Sequence, residues 1–294
     1  MTRVLRPVTD RVDDDATDPK SVLSKIMRVL AAFDEGHPRR TLSELSRVSQ
    51  IPKTTVHRIV HELVDWGVLV RTGNFYWIGL RLLEVGSLSF GYQVRDVALP
   101  FLRDLQSVTG ETVHLAVLDG TDVVYLDKVY GRSPVRMPSR TGGRAPAACT
   151  AVGKVLLAFS PPERQEQVLR QGLPAVTPHS VTDPVAFRVE LADIARRGVA
   201  FDREEVQVGL VCAGVPIQVR PGSAAAAISI SGPAGRLDLD RVTTGLQATG
   251  MAISRALQRE VRRFCWREDC FPFESAEQMV AGSPAASEYR VKVS

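Results

Sequence analysis

The stretch Thr41–Leu69, TLSELSRVSQIPKTTVHRIVHELVDWGVL, holds two short apolar-periodic segments with a break between them, and that break limits what the chain can build there. T-L-S-E reads as a capping box: the Thr41 hydroxyl can accept from the amide three residues on, while Glu44 reaches back. A helix therefore starts at Thr41, with Leu42, Leu45 and Val48 as its apolar face. It ends at SQIP, where Ile51 can plug a small core. Pro52 lacks an N–H that would have no intrahelical partner in a first turn, so a new helix can begin there. Val56, Ile59, Val60, Leu63 and Val64 give that helix a packed stripe, and Thr54, His57, Arg58 and His61 lie on its other side. Upstream, Val22, Ile26, Val29, Leu30 and Phe33 repeat at helical spacing until Gly36 and Pro38. Downstream, VLVRTGNFYWIG alternates around a turn at Thr72-Gly73-Asn74, the pattern of a β-hairpin.

The unburied side of the third helix is rich in groups that hydrogen-bond nucleic acid. Thr54 and Thr55, near the helix start, can donate to phosphates or touch base edges, and the planar fork of Arg58 suits guanine or phosphate. Lys53, His57 and His61 stand beside them, and Arg71 would sit on the hairpin near phosphate. Between Ser21 and Arg81 nine Lys or Arg oppose five acids, an excess equal to the whole formal charge of +4. The periodicity by itself also fits an amphipathic helical pair from a protein-binding module. The ordered set of capped helix, short turn, basic helix and hairpin favours a winged helix-turn-helix whose third helix enters the major groove. His57 and His61 have a metal-ligand spacing, but no Cys or carboxylate is placed to complete a set, so no metal is expected.

With 294 residues, 44% of them hydrophobic and 24% charged, the chain can bury a substantial core and reads as two domains. No apolar run reaches the roughly 18 residues of a spanning helix, and the N-terminus is acidic and polar where a signal peptide would be cationic and then greasy. A cytoplasmic protein with no membrane partner is expected. Cys149, Cys212, Cys265 and Cys270 are too few and too scattered for a secreted disulfide framework. Residues 1–20, with five Asp against four Lys or Arg, read as a solvated tail.

From Gly79 the pattern is helical, interrupted near Gly91 and again at Pro100; Leu80, Leu83, Leu88 and Phe90 would be greasy on an isolated helix, which points to a second chain or the wing as their cover. Two strand-like runs, ETVHLAVLDG and TDVVYLDKVYG, meet at Asp119-Gly120, a hairpin signal. Further strands are expected at Val199–Asp202, Val211–Ile217 and Ala224–Ser231. Helices are expected at Ala151–Phe159, Pro162–Gln171, Pro184–Arg197 and from Leu237 to about Arg262. Helices and antiparallel strands in this order give an α+β domain.

The helix-turn-helix with its wing, followed by VRMPSRTGGRAPAACTAVGKVLLAF, FDREEVQVGLVCAGVPI and AISISGPAGR, resembles the IclR family of bacterial transcriptional regulators over roughly residues 21–262. The resemblance implies an operator-binding homodimer or homotetramer, with a GAF-like C-terminal domain that binds a small effector, often a carboxylate or aromatic acid. It divides the chain into a winged helix-turn-helix at 21–81, a linker helix at 82–93, an effector-binding and oligomerisation domain at 94–262 and a C-terminal extension at 263–294. Family pocket positions carry over to Met137, Ala145, Ala151 and Val152 as lining, and to Asp202, Cys212, Ser229 and Ser231 as polar groups. Ser hydroxyls and backbone amides can hold an organic anion, with the apolar group setting size. Ala145, small where a bulkier residue is common in the family, would enlarge the pocket.

Catalysis is not expected, and no cofactor is. Cys212 with His114 or Asp202 could be cast as a nucleophilic site, but neither a base spacing nor an oxyanion-hole motif accompanies it. Free cysteines such as Cys149 usually pack. Glu204 and Glu205 read as groups that cap or solvate a loop. Cys265 and Cys270, in FCWREDC, lie beyond the family match and make a weak zinc pair; the tail after Phe273 reads as disordered.

Overall fold

The computed structural model describes residues 21–132 and 139–263, the side chains of 261–263 excepted. The expected tail at 1–20, Met137, Cys265, Cys270 and the end of the chain lie outside the described residues.

Helix α1, Val22–Leu30, is capped by Ser21, whose Oγ accepts from the Ser24 amide at 3.0 Å. It stops short of Phe33, which still packs on the small N-terminal core from the turn that follows. Helix α2, Leu42–Ser49, has both arms of the capping box: Thr41 Oγ1 accepts from the Glu44 amide at 3.3 Å, and Glu44 Oε2 accepts from the Thr41 amide at 2.7 Å. Gln50 ends it in the left-handed region at φ 56°. Helix α3 runs Lys53–Asp65, with Pro52 just before its first turn. Strand β1, Arg39–Thr41, was not expected; it joins strands β2, Leu69–Thr72, and β3, Phe75–Ile78, in a sheet of order β1-β3-β2. Gly73 makes the wing turn at φ +60°, where a side chain would be strained. Val29, Leu45, Val56, Val60, Leu69 and Tyr76 form the centre of this core.

The helical run after Gly79 breaks at residues 87–89, just before Gly91, and not at Pro100. Helix α4 is Leu80–Gly86 and helix α5 is Phe90–Thr109, which carries Pro100 within it. Packing overrides the proline: Val94, Ala98, Leu102 and Leu105, on both sides of it, are buried in one stripe. Phe90 packs against that same core, whereas Leu80, Leu83 and Leu88 are exposed.

Six antiparallel strands follow in the order β6-β5-β4-β9-β8-β7. They are β4, Thr112–Asp119; β5, Asp122–Val129; β6, Arg144–Pro146; β7, Ala200–Arg203; β8, Leu210–Arg220; and β9, Ser223–Pro233. Helix α5 and the long helix α9, Leu239–Arg263, cover one face. Helices α6, Ala151–Ala158, α7, Pro162–Gln171, and α8, Pro184–Arg197, cover the other. Strand alternation sorts the residues: Val113, Leu115 and Val117 face α5 and α9, while Ala116 faces α6. At the Leu115/Ala116 step the β4–β5 register shifts, so Leu126 bulges out and Tyr125 and Lys128 both pair with residues of the α6 face, Ala116 and His114.

Candidate functional site

Two places carry the polar side chains that the sequence singles out. The first is α3. Lys53, Thr54, His57, Arg58 and His61 are exposed on it, while Val56, Ile59, Val60 and Leu63 are buried against α1, α2 and the wing. Thr55 lies apart from this group, half-buried near the helix start. The His57 and His61 rings stand 4.5 Å apart on successive turns. Arg71 is exposed on β2 but leans on its own wing: its Nε donates to the Gly73 carbonyl at 3.0 Å and its guanidinium lies over Tyr76. A side chain that sequence reading passed over, Arg39 on β1, stacks on Phe75 and Trp77 of the wing at 4.5 and 5.7 Å. The signal for it was absent, because three residues of strand show no alternation.

The second is a cavity between the sheet and the start of α6. Its floor is two neighbouring rows of cross-strand pairs. One row runs Asp202, Cys212, Ser231, Thr112, and the next runs Gly214, Ser229, His114, Lys128. Thr150, Ala151 and Val152 of the α6 start close it from above, Ala145 and Tyr125 from the β5–β6 side, Val206 from the β7–β8 loop and Leu210 from the start of β8. Two glycines make the close approach possible. A Cβ on Gly214 would stand 2.8 Å from the Ala151 carbonyl carbon, and one on Gly153 would stand 2.2 Å from the Ala147 oxygen. The α6 start therefore lies directly on strand β8. Thr150 caps the helix by accepting from the Gly153 amide at 3.0 Å. The amides of Ala151 and Val152, ahead of the first intrahelical bond, have no helical partner.

Of the eight effector positions read from the sequence, Ala145, Ala151, Val152, Asp202, Cys212, Ser229 and Ser231 line this cavity, and Met137 is outside the described residues. His114, Tyr125, Ser139, Thr150, Val206 and Leu210 also line it. From the sequence His114 is only a candidate partner of Cys212; its alternation with Ala116 on β4 is the signal that it shares the α6 face. It is held at both nitrogens, Nε2 with Ser139 Oγ at 2.7 Å and Nδ1 with Ser231 Oγ at 3.3 Å.

Burial governs the charge states. It lowers the His114 pKa to about 3, with Lys128 adding to the effect, so the imidazole is neutral. Burial also pushes the Cys212 thiol well above its usual range, with the Asp202 carboxyl as the next cause. Asp202 itself is raised to about 7 by burial and then by Glu205. Next to the cavity Lys154 is fully buried and donates to Glu190 and Glu205, both at 2.6 Å. Burial works against its charge, but the two carboxylates outweigh it and raise its pKa. Glu205 therefore does not solvate a loop as expected. Glu204 does cap one, its Oε2 accepting from the Gly209 amide at 2.7 Å. Cys149 is buried with its thiol toward the Pro174 carbonyl, and burial lifts its pKa to about 12.

The family model for the IclR helix-turn-helix domain matches residues 22–73, and that described as the bacterial transcriptional regulator IclR C-terminal matches residues 90–255. The chain belongs to the IclR family of bacterial transcriptional regulators. This IclR-family chain is 31% identical to the HTH-type transcriptional regulator XynR of Escherichia coli K12, over 80% of its own length and 96% of XynR. It is 34% identical to the transcriptional repressor IclR of the same organism, over 78% and 85% of the two chains. An IclR homologue from Microbacterium hydrocarbonoxydans, solved with 4-hydroxybenzoate, superposes with a TM-score of 0.77 at 32% identity, over 81% of this chain and 100% of that one. The IclR-family regulator thus pairs a DNA-binding helix-turn-helix with a mixed α/β C-terminal domain. No helix among the described residues is long and apolar enough to cross a membrane.

Proposed function

We propose that this regulator binds an operator in double-stranded DNA as a homodimer or homotetramer, and that a small organic acid entering the cavity changes its operator affinity. The observation that carries the reading is the pairing in one chain of an outward polar face on α3 with a cavity at the α6 start that is lined by both apolar and polar side chains. Lys53, Thr54, Thr55, His57, Arg58 and His61 would meet DNA from α3 and Arg71 from the wing. Ser229, Ser231, Cys212 and Asp202 would orient the acid, with Ala145, Ala151 and Val152 limiting its size. The relative crystallised with 4-hydroxybenzoate supports an aromatic or small carboxylate as the class. Self-association is supported by α4 and the turn after it, where Leu80 and Leu83 of the helix and Leu88 of the turn are 73%, 60% and 78% exposed, a surface that a second copy would cover.

Binding, rather than turnover, fits the chemistry of the cavity. Neither a thiol whose pKa is raised nor an imidazole titrating near 3 supplies a nucleophile–base pair at neutral pH. A cytoplasmic regulator with winged, connecting and effector-binding regions at 21–81, 82–93 and 94–262 completes the reading. The test is a thermal-shift screen of small carboxylates, followed by titration of each hit into the protein–DNA complex. A hit that raises Tm and alters DNA affinity is the expected result. If no acid raises Tm, the protein is a constitutive DNA binder. A hit that raises Tm and leaves DNA affinity unchanged refutes the coupling.

A further inference from the structure

Asp202 is fully buried, and its two oxygens have different surroundings. Oδ1 accepts the amides of Glu205, at 2.7 Å, and Val206, at 3.4 Å, which fixes the loop after β7. Oδ2 has no hydrogen-bond partner of good geometry, although the Cys212 thiol is close enough to feel its charge. The side chain lines the cavity together with the α6 start, whose Ala151 and Val152 amides lack helical partners.

The groups around Asp202 come from every element packed there. Cys212 is its cross-strand neighbour on β8, and Glu205 follows it in the loop. Lys154 comes from α6 with Glu190 of α8 behind it, Cys149 precedes α6, and His114 and Tyr125 line the same cavity from β4 and β5. Among the described residues the cations near the cavity are Lys154, which Glu190 and Glu205 already share, and Lys128, the cross-strand neighbour of His114, whose Nζ donates to the Ser139 carbonyl at 2.8 Å; His114 is neutral. Three carboxyl groups, Asp202, Glu190 and Glu205, thus act on the Lys154 ammonium. An ionised Asp202 has no counter-charge of its own, and an anionic ligand in the same cavity would face a second negative charge. A neutral Asp202 removes that repulsion and turns Oδ2 from an orphan acceptor into a donor.

We infer that the cavity takes a small carboxylate together with one proton, the anion seated at the α6 start and Asp202 present as the neutral acid that donates to it. The inference rests on the effector reading above and adds its proton stoichiometry. The raised pKa of Asp202, about 7, agrees with it. The effector would then be held more tightly as the pH falls through neutrality.

Asp202→Asn is the informative variant: its amide oxygen can keep the two loop hydrogen bonds while its NH2 stands where the proton would be. The full-length wild type and this variant are titrated calorimetrically with 4-hydroxybenzoate, acetate, lactate and benzoate between pH 6 and pH 8.5. The wild type should lose about tenfold in affinity per pH unit above the Asp202 pKa, and the variant should bind with one affinity throughout. Wild-type affinity that is flat or rises with pH, or a variant that keeps the slope, overturns the inference. A ligand-free arm follows the carboxyl carbons of 13C-labelled aspartates by NMR, with the variant identifying the Asp202 signal. Titration near neutrality is expected, and a carboxyl ionised from pH 5 upward overturns the inference without any ligand. If that titration is seen but none of the four acids binds either protein, the effector reading itself fails, and the anion's place with it.

Discussion

Helices α3 and α6 are used in opposite senses. Helix α3 buries one stripe of aliphatic residues and turns Thr54, His57, Arg58 and His61 to solvent, whereas α6 is buried from Ala151 to Leu157 and lines the cavity with its first residues. On α3 the side chains proposed to meet DNA lie within eight residues of one another and need only helical periodicity to assemble. At α6 the polar groups come from five strands and a loop, and the chain must complete its sheet before they meet. The difference has a physical consequence. Substitutions on the outer face of α3 can change that face while leaving stability intact, but substitutions at the cavity act on folding and on the proposed ligand site together.

The largest expected effect breaks the interior half of that contrast. Lys154→Met leaves Glu190 and Glu205 without their cation, and removing one partner of a buried pair costs about 3–5 kcal/mol. Urea denaturation should show a loss of that order, and Glu205→Gln on the same background should recover part of it. Full recovery is not expected, because Glu190 still lacks the cation it is paired with. An unchanged midpoint would mean that the buried triad contributes nothing.

The pH dependence of stability sharpens the contrast. The folded-state pKa of Asp202 lies at about 7, above the ordinary carboxylate value. The folded protein therefore binds this proton more tightly than the unfolded chain does, and the associated stability is fully present below about pH 4 and lost as the pH rises through 7. The stability of the wild type relative to Asp202→Asn should fall between pH 5 and pH 8 and then level off. A constant difference would mean that Asp202 is ionised in both states. The smallest effect belongs to the exterior half: Thr41→Ala removes both the acceptor and the geometry of the capping box and should cost about 1 kcal/mol. Its readout is amide exchange in α2, with exchange in the six-stranded sheet unchanged.

Legibility from the sequence follows the same divide. The starts of α7 and α8 could be read from Pro162 and from Asp183-Pro184, and α2 from its capping box, because each signal sits within a few residues of the structure it makes. The seven lining positions among the described residues came from family motifs in order, not from periodicity. Strands β1 and β6 escaped notice, since three residues pair only because β3 and β5 are already in place. Pro100 was read as a break, and the apolar stripe around it prevailed. The bulge at Leu126, which puts Lys128 beside His114, has no marker in the sequence of β5. Nor could the sequence indicate that Glu205 would bind Lys154 from 51 residues away while its amide held Asp202.

The central claim is that α3 meets DNA through its outward face. Fluorescence anisotropy of the full-length protein against DNA upstream of its own and adjacent genes, wild type and Arg58→Ala at two salt concentrations, tests it most directly. Tight, salt-sensitive binding to one segment is expected, weakened by Arg58→Ala by about 1–3 kcal/mol, with thermal stability unchanged. Equal affinity of the wild type and the variant for that segment would contradict it.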